Sequence, residues 1–228
     1  MKASLFAFLI TLVVSADAWA SDWTIGAATG PFVFGHFAER SVTIGSGETR
    51  RRIRYALSAE TRPGVKLGLQ RDFNDRVSMR LEGSFVNAPL AIKTGSDSDR
   101  PASETGSLQI ARMRVTSVAL PLVVRINRRG ALRPFLGGGP TFVMYETERR
   151  SQSALLPLFA GKRSQAGLDL IVGMEWSISR SFSLEGDLRD SITRSPFRKE
   201  DLQTSPALSR GLPSVHNLHS TIGLRYRF

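Results

Sequence analysis

Apolar and polar residues alternate over positions 217–228, at the carboxy-terminal end of the sequence. One face carries Leu218, Ser220, Ile222, Leu224, Tyr226 and Phe228, and the other carries Asn217, His219, Thr221, Gly223, Arg225 and Arg227. Successive side chains of a β-strand point to opposite sides, so this pattern predicts a strand with one greasy and one polar face. A half-buried strand of a soluble protein has the same period, so alternation alone does not identify the solvent on each side.

Seven further runs of the same kind precede this one. The eight predicted strands cover residues 23–34, 64–73, 77–89, 110–126, 132–146, 167–178, 182–192 and 217–228. A length of about ten residues is what a tilted strand needs to cross a bilayer core. The fifth run is interrupted by Gly137, Gly138, Gly139 and Pro140. The glycines suit a strand that either bends sharply or packs against bulky lumen side chains, Pro140 predicts a bulge, and the faces of this run stay unassigned.

The predicted connections alternate between short and long. Tight polar turns are expected at 72–76, 127–130 and 179–181, and long links rich in Ser, Thr, Gly and Pro at 35–63, 90–107, 147–165 and 193–216. This parity is typical of an up-and-down transmembrane barrel with both ends of the chain on the side of the short turns. The fold class predicted is therefore all-β, an eight-stranded antiparallel up-and-down transmembrane β-barrel.

The first twenty residues have the pattern of a secretory signal peptide. Lys2 precedes an apolar run over 3–16, and Ala18, Trp19 and Ala20 form a small-x-small cleavage site. An apolar run of roughly 14 residues is shorter than the about 20 that a spanning helix requires. We expect a signal peptide at 1–20 and an outer-membrane barrel at 21–228. The chain has no Cys, which excludes a lipoprotein anchor and disulfides.

The polar faces of the runs carry a balanced set of charges. The inward residues are Lys66, Arg80, Arg189, Arg225 and Arg227 against Glu82, Asp169, Glu175, Glu185 and Asp187. Buried charges are costly unless they are paired, so these residues predict a lumen network of ion pairs that plugs the barrel. Glu185 or Asp187 with Arg225 or Arg227 is the expected contact. The open alternatives are the solvated face of a soluble sandwich, an ion path, or a catalytic acid pair.

Several stretches resemble the small OmpA-like outer-membrane β-barrel family. They are residues 133–139, residues 167–176 with 182–185, and the ending 219–228. Within that ending, Thr221, Gly223, Tyr226 and Phe228 are similar to the carboxy-terminal assembly signal of such barrels. The resemblance implies an eight-stranded barrel that is inserted by the barrel-assembly machinery through its last strand. It leaves the function open, because structural proteins, adhesins, pores and enzymes share this fold.

The net charge of +11 is concentrated in the long links. Arginines recur at Arg50, Arg51 and Arg52 and again at Arg149 and Arg150. Clustered arginine favours phosphate, and expected export together with the lack of interleaved aromatic residues argues against nucleic acid. On an outer-membrane barrel the natural counter-ion is lipopolysaccharide, so we expect these residues to contact outer-membrane lipid and lipopolysaccharide.

The motifs of enzymes and cofactor sites are missing from the sequence. It has no Gly-rich phosphate loop and no metal-spaced His/Cys cluster, so no cofactor is expected. His216 and Ser220 share a strand face, but four strand residues separate them by about 13 Å, beyond hydrogen-bond reach. We predict a non-enzymatic outer-membrane protein with a structural or surface-interaction role. The alternatives are a narrow pore, a lipid A-modifying enzyme, and a soluble periplasmic barrel such as a lipocalin.

Overall fold

A computed structural model of the chain describes residues 23–44, 51–96, 104–127, 130–149, 161–197, 210–211 and 214–228. These residues form an all-β structure of antiparallel strands. The strands are β1 (Trp23–Phe34), β2 (His36–Ile44), β3 (Arg51–Ala59), β4 (Arg62–Asp72), β5 (Val77–Ser96), β6 (Glu104–Ala119), β7 (Leu122–Arg125), β8 (Leu132–Arg149), β9 (Gly161–Ser177), β10 (Phe182–Thr193), β11 (Arg210–Gly211) and β12 (Val215–Arg227). None of the described residues belongs to a helix with the length and apolar character to span a bilayer.

Eight wall strands close into a ring. The order around the ring is β1, β4, β5, β6 continued by β7, β8, β9, β10 and β12. The first and last strands pair along their length, from Thr24 opposite Arg227 to Phe34 opposite Asn217, and this pairing closes the barrel. The predicted eight-stranded antiparallel barrel is confirmed. We call the end that carries the tight turns, Trp23 and Phe228 the turn end, and the opposite end the loop end.

The strand predicted over 110–126 is one wall strand with a proline in it. β6 pairs Ala119 with Thr141, and β7 pairs Leu122 with Gly138, so the register against β8 continues across Pro121. Pro121 lacks an N–H, and this locally removes one ladder bond. Its carbonyl still accepts from the backbone N of Arg80 at 2.9 Å.

The bulge predicted at Pro140 is wrong. Pro140 lies in register opposite Leu168 on β9, and its carbonyl accepts from the N–H of Leu120 at 3.0 Å. The proline therefore costs a single ladder bond without displacing the strand. The preceding Gly139 permits a close approach instead, because a Cβ there would lie 2.4 Å from the carbonyl oxygen of Leu120.

Pairing continues past the predicted strand ends at the loop end. The link expected over 35–63 contains β2 and β3, which pair with each other, and β3 also pairs with the extended end of β5. β6, β8 and β9 likewise run beyond the predicted ranges. Backbone hydrogen bonds form in water as well as in lipid, so a strand can continue where the alternation that marks the bilayer stops.

Two opposite surfaces result from the alternation. On β9, Leu168, Leu170, Val172, Met174 and Trp176 face outward and are about half exposed, while Asp169, Ile171 and Glu175 are buried inside. The large exposed hydrophobic residues recur on the outward face of every wall strand. The barrel is therefore apolar outside, and its interior holds the side chains that fill it.

Candidate functional site

The middle of the barrel interior holds eight buried ionised side chains. Their charges balance, because four are cations and four are carboxylates: Lys66, Arg80, Arg189, Arg225, Glu82, Asp169, Glu185 and Asp187. They project from β4, β5, β9, β10 and β12, where the strand period directs every second residue inward. We call this set the middle charge set.

Glu185 is the hub of the middle charge set. Its carboxylate accepts from Arg80 Nη1 and Nη2 at 3.0 and 2.8 Å, and from Arg225 Nη1 at 2.6 Å. Both guanidiniums also donate to Gln70 Oε1, each at 2.7 Å. The Arg80 guanidinium carbon lies 4.6 Å from the centroid of the Phe135 ring. Bidentate and shared arginine contacts of this kind fix strand positions as well as charge.

The remaining carboxylates of the set are paired with the other cations. Arg189 donates to Glu82 and, through Nη1, to Asp169 Oδ2 at 2.8 Å. Lys66 donates to Asp187, whose second oxygen accepts from the Thr221 hydroxyl at 3.0 Å. Each carboxylate of the set therefore faces at least one cation. Its arrangement holds β4, β5, β9, β10 and β12 together across the lumen.

A second group of charges lies at the turn end. Arg125 Nη2 is 3.1 Å from Asp72, and Glu175 lies 3.4 Å from Arg125 Nε and 2.7 Å from Arg133 Nη2. Arg227 pairs with Asp72 at 3.2 Å, and not with Glu185 or Asp187 as expected. The reason is its position, because Arg227 is the next inward residue after Arg225 on β12 and lies nearer the turn end. We call these five residues the turn-end charge set.

Three members of the turn-end charge set, Asp72, Arg125 and Arg133, are not part of the predicted network. Arg133 lies in the run whose faces were unassigned. Asp72 and Arg125 occupy inward positions of their runs, next to predicted turns. The signal that could have found them is the same alternation, continued through the interrupted fifth run and to the last residue of each strand.

The loop half of the interior is apolar. Inward residues of the wall strands meet side chains from β2, β3 and the segment after β10, and the resulting apolar cluster contains Phe32, Phe34, Phe37, Ala38, Leu57, Ala59, Val86, Ala88, Leu90, Ile110, Ala111, Met113, Val115, Val143, Tyr145, Phe197 and Val215. The Phe37 ring makes edge contacts with Tyr145 and Phe197 at 5.9 and 5.7 Å. The expected filling of the lumen by ions therefore applies to the turn half only.

A polar row separates the apolar cluster from the middle charge set. The Tyr145 hydroxyl lies 3.1 Å from the Thr193 hydroxyl and accepts from Asn217 Nδ2 at 3.0 Å. Below it, the His219 ring stacks against Phe32 with centroids 4.0 Å apart. Near the middle charge set, a cavity of about 20 Å³ has room for about one water molecule. The described residues thus fill the interior from the apolar cluster to the middle charge set.

The basic residues of the long links are only partly described. Arg50 and Arg150 lie outside the described residues, and Arg51 and Arg149 are described as strand positions only. Arg52 is exposed on β3, as is Arg54 two residues later on the same face. The opposite face of β3 packs Tyr55 against the apolar cluster.

The four residues of the expected assembly signal lie on β12 and just after it. Thr221 is buried inside, and Tyr226 and Phe228 are exposed on the outward face with ring centroids 6.3 Å apart. Gly223 lies against β1, where a Cβ would meet the Ala27 carbonyl oxygen at 2.2 Å. Glycine at this position therefore permits the close pairing that closes the barrel.

One polar contact lies on the outward face near the loop end. His216 Nδ1 is 2.7 Å from Asp190 Oδ2, and both residues are partly exposed. Among the hydrogen bonds of the described residues, none joins the His216 imidazole to a serine. Nor does the described part of the chain contain a group of three or more His, Cys, Asp or Glu that could hold a metal ion.

Comparison with known proteins identifies the fold. No protein-family model matches the chain, and no curated protein matches it. The crystal structure of the outer membrane protein OprG from Pseudomonas aeruginosa is similar with a TM-score of 0.53 at 14% identity, over 92% of this chain and 96% of that chain. The solid-state NMR structure of the outer membrane protein AlkL is similar with a TM-score of 0.52 at 13% identity, over 91% of this chain and 90% of that chain. At the level of the fold the expected resemblance is confirmed, and the chain has the architecture of the small outer-membrane β-barrel proteins.

Proposed function

We propose that the chain is an integral outer-membrane barrel with a structural or surface-interaction role and a closed interior. The observation that carries the proposal is the filling of the lumen by the two charge sets and the apolar cluster inside an apolar outer wall. A soluble barrel such as a lipocalin would need water to cover that wall. Contiguous exposed apolar surface of this extent is rare on soluble proteins.

The outward surface supports insertion in a bilayer. On β9 the exposed apolar residues extend from Leu168 to Trp176, and Phe182, Tyr226 and Phe228 add aromatic rings at the turn end. Aromatic residues flank the apolar band of outer-membrane barrels at the membrane interfaces. We expect the protein in the outer-membrane fraction, with a heat-dependent shift in gel mobility and an amino-terminus that follows cleavage after Ala20. Recovery in the soluble periplasmic fraction would contradict this proposal.

A closed interior is distinguished from a narrow pore by conductance. Purified barrel in planar bilayers should give no steady channel current, because bidentate arginine contacts and a fully buried apolar cluster leave no continuous water path. The matched variant Phe37→Ala removes a ring at the centre of the apolar cluster and leaves the middle charge set unchanged. Steady current through the unaltered protein would favour the pore.

The exposed arginines of the loop end are proposed to contact lipopolysaccharide phosphates. Arg52 is exposed on β3, and Arg50, Arg51, Arg149 and Arg150 are assigned to the same role by their sequence clustering. Replacing Arg50, Arg51 and Arg52 by Ser should reduce the lipopolysaccharide that remains bound after detergent extraction.

The control for that experiment removes positive charge at the other end of the barrel. Arg76 is exposed in a turn of the turn end, so changing it to Ser should leave lipopolysaccharide retention unchanged. Equal retention in the triple variant and the parent would rule the Arg50 to Arg52 cluster out.

The carboxy-terminal strand is proposed as the signal for the barrel-assembly machinery, through Thr221, Gly223, Tyr226 and Phe228. Phe228→Ala should lower the folded fraction in the outer membrane of cells. Phe182→Ala is the control, since Phe182 is another exposed aromatic residue of the turn end, and its ring lies 5.0 Å from that of Tyr226. An equal loss in both variants would indicate an effect on stability rather than on recognition.

A lipid A-modifying hydrolase is the second candidate, and the Asp190–His216 contact favours it. A carboxylate that holds Nδ1 of an imidazole leaves Nε2 available to a hydroxyl nucleophile, and the exposed Ser214 lies two residues before His216. Lipid A from cells with the parent protein and with His216→Ala should have the same mass spectrum if the barrel is not an enzyme. A mass difference that depends on both His216 and Ser214 would establish the hydrolase.

A further inference from the structure

The turn end of the barrel opens into a polar pocket of about 380 Å³. The ends of β1, β8, β9, β10 and β12 and the turn between β9 and β10 line it, and its charged side chains are Arg133, Glu175, Arg180 and Arg227. The volume falls within the range of about 300–1,000 Å³ that is usual for small-molecule sites. We call it the turn-end pocket.

The charge around the turn-end pocket is not balanced. The charged residues that line the pocket are three arginines, Arg133, Arg180 and Arg227, and one carboxylate, Glu175. Arg180 makes no ion pair with any described residue. The middle charge set, in contrast, has four charges of each sign. The side chains that line the pocket therefore carry a net charge of +2.

The arginines at the pocket retain unused hydrogen-bond donors. Within the described residues, Arg133 contacts Glu175 and Ser177 through Nη2, at 2.7 and 2.9 Å, and Arg227 contacts Asp72 through Nη2, with no hydrogen bond at their other guanidinium nitrogens. A guanidinium carries five N–H groups in a planar fork that matches the oxygens of phosphate and carboxylate.

Serine hydroxyls complete the lining. Ser177, Ser179, Ser181 and Ser183 all line the pocket. The Ser179 oxygen accepts from the backbone N–H groups of Ser181 and Phe182 at 3.3 and 3.0 Å, so its hydroxyl proton is free to be donated to a ligand. Guanidinium and hydroxyl donors around a shared space are the chemistry that binds an oxyanion.

We propose that the turn-end pocket binds the phosphate or carboxylate group of a small hydroxylated molecule, such as a sugar phosphate or a sugar acid. The oxyanion lies between Arg133, Arg180 and Arg227, and the hydroxylated remainder contacts the serines. This site is at the opposite end of the barrel from the arginines assigned to lipopolysaccharide, and it does not depend on that assignment.

The first test is calorimetric titration of the purified full-length barrel in detergent micelles. Glucose 6-phosphate and glucuronate supply the phosphate and the carboxylate, and glucose supplies the same ring without charge. We expect saturable binding of one or both acids and none of glucose. The inference is overturned by the absence of saturable binding of both acids, or by equal binding of glucose.

The second test locates the site with matched variants. Arg180→Gln and Arg133→Gln should each weaken binding about tenfold or more, because each removes charge-assisted hydrogen bonds. Arg76→Gln is the control, since Arg76 is exposed in another turn of the same end and does not line the pocket.

Arg180→Gln disrupts no ion pair among the described residues, so the heat-dependent gel mobility of that variant should equal that of the parent. The result stays interpretable if Arg133→Gln lowers stability. Equal binding by Arg180→Gln and the parent, or equal weakening by Arg76→Gln, would overturn the inference.

Discussion

Neutralising the hub of the middle charge set should destabilise the barrel strongly. Glu185→Gln retains the shape of the side chain, but it removes the charge that three hydrogen bonds from Arg80 and Arg225 share at 2.6, 2.8 and 3.0 Å. Removing one partner of a buried pair costs about 3–5 kcal/mol, because it leaves an uncompensated charge. Arg80 retains Gln70 at 2.7 Å and Glu82 at 3.7 Å, so we expect about 3 kcal/mol.

The assay is urea unfolding of the barrel in lipid vesicles, followed by tryptophan fluorescence and gel mobility. Trp176 is exposed on the outer wall and Trp23 is partly exposed at the turn end, so both should report loss of the lipid contact. Glu146→Gln is the control, since the Glu146 and Arg114 side chains are 3.4 Å apart and 41% and 42% exposed. An exposed pair of this kind contributes about 0–1 kcal/mol. A loss under about 1 kcal/mol for Glu185→Gln would refute the reasoning and indicate a solvated lumen.

Two further predictions concern the wall. Gly173→Ala should destabilise the barrel by about 2 kcal/mol, because a Cβ there would lie 2.4 Å from the Phe135 ring and 2.7 Å from the Gly186 carbonyl oxygen. Gly186→Ala is the control, because a Cβ there would meet nothing closer than 4.0 Å. Its effect should stay within about 0.5 kcal/mol. Val172→Arg, on the outward face halfway along the exposed stretch of β9, should cost about 2–4 kcal/mol, and Ile178→Arg at the turn end about 0–1 kcal/mol. Urea unfolding in vesicles measures the free energy of unfolding of all four variants. Equal losses for the two glycine variants, or for the two arginine variants, would contradict the positions assigned to these residues.

The wall of the barrel could be predicted from the sequence because successive residues of a strand point to opposite sides of the sheet. Leu218 to Phe228 has one apolar face, and that face is exposed on the outer wall in the structure. The sequence does not determine which carboxylate each inward arginine pairs with. Arg225 meets Glu185, one of the expected contacts, but Arg227 meets Asp72, because partner choice depends on the height of each strand in the ring.

The apolar cluster was beyond sequence reasoning. Two of its aromatic residues, Phe37 and Phe197, come from segments that composition marks as links, and they contribute to the interior only after the chain folds back over the barrel. Inward positions such as Val86 and Met113 do alternate with outward ones. On β6 the outward neighbours of the buried Met113 are Arg112 and Arg114, whereas nearer the turn end the outward residue is the apolar Val118. The apolar side of the alternation therefore changes from outward to inward within one strand, and the period of two does not show which side faces the interior.

The segments at the loop end are part of the packed interior of the barrel. Phe37 and Phe197 pack in the apolar cluster. The Ser195 hydroxyl donates to the Phe37 carbonyl at 2.8 Å and so holds the segment of Phe197 against that of Phe37. Grafting a foreign peptide into these segments would therefore disrupt the apolar cluster and open the interior, unless both rings are retained. We expect substitutions at this end to be tolerated where the side chain does not pack into the apolar cluster.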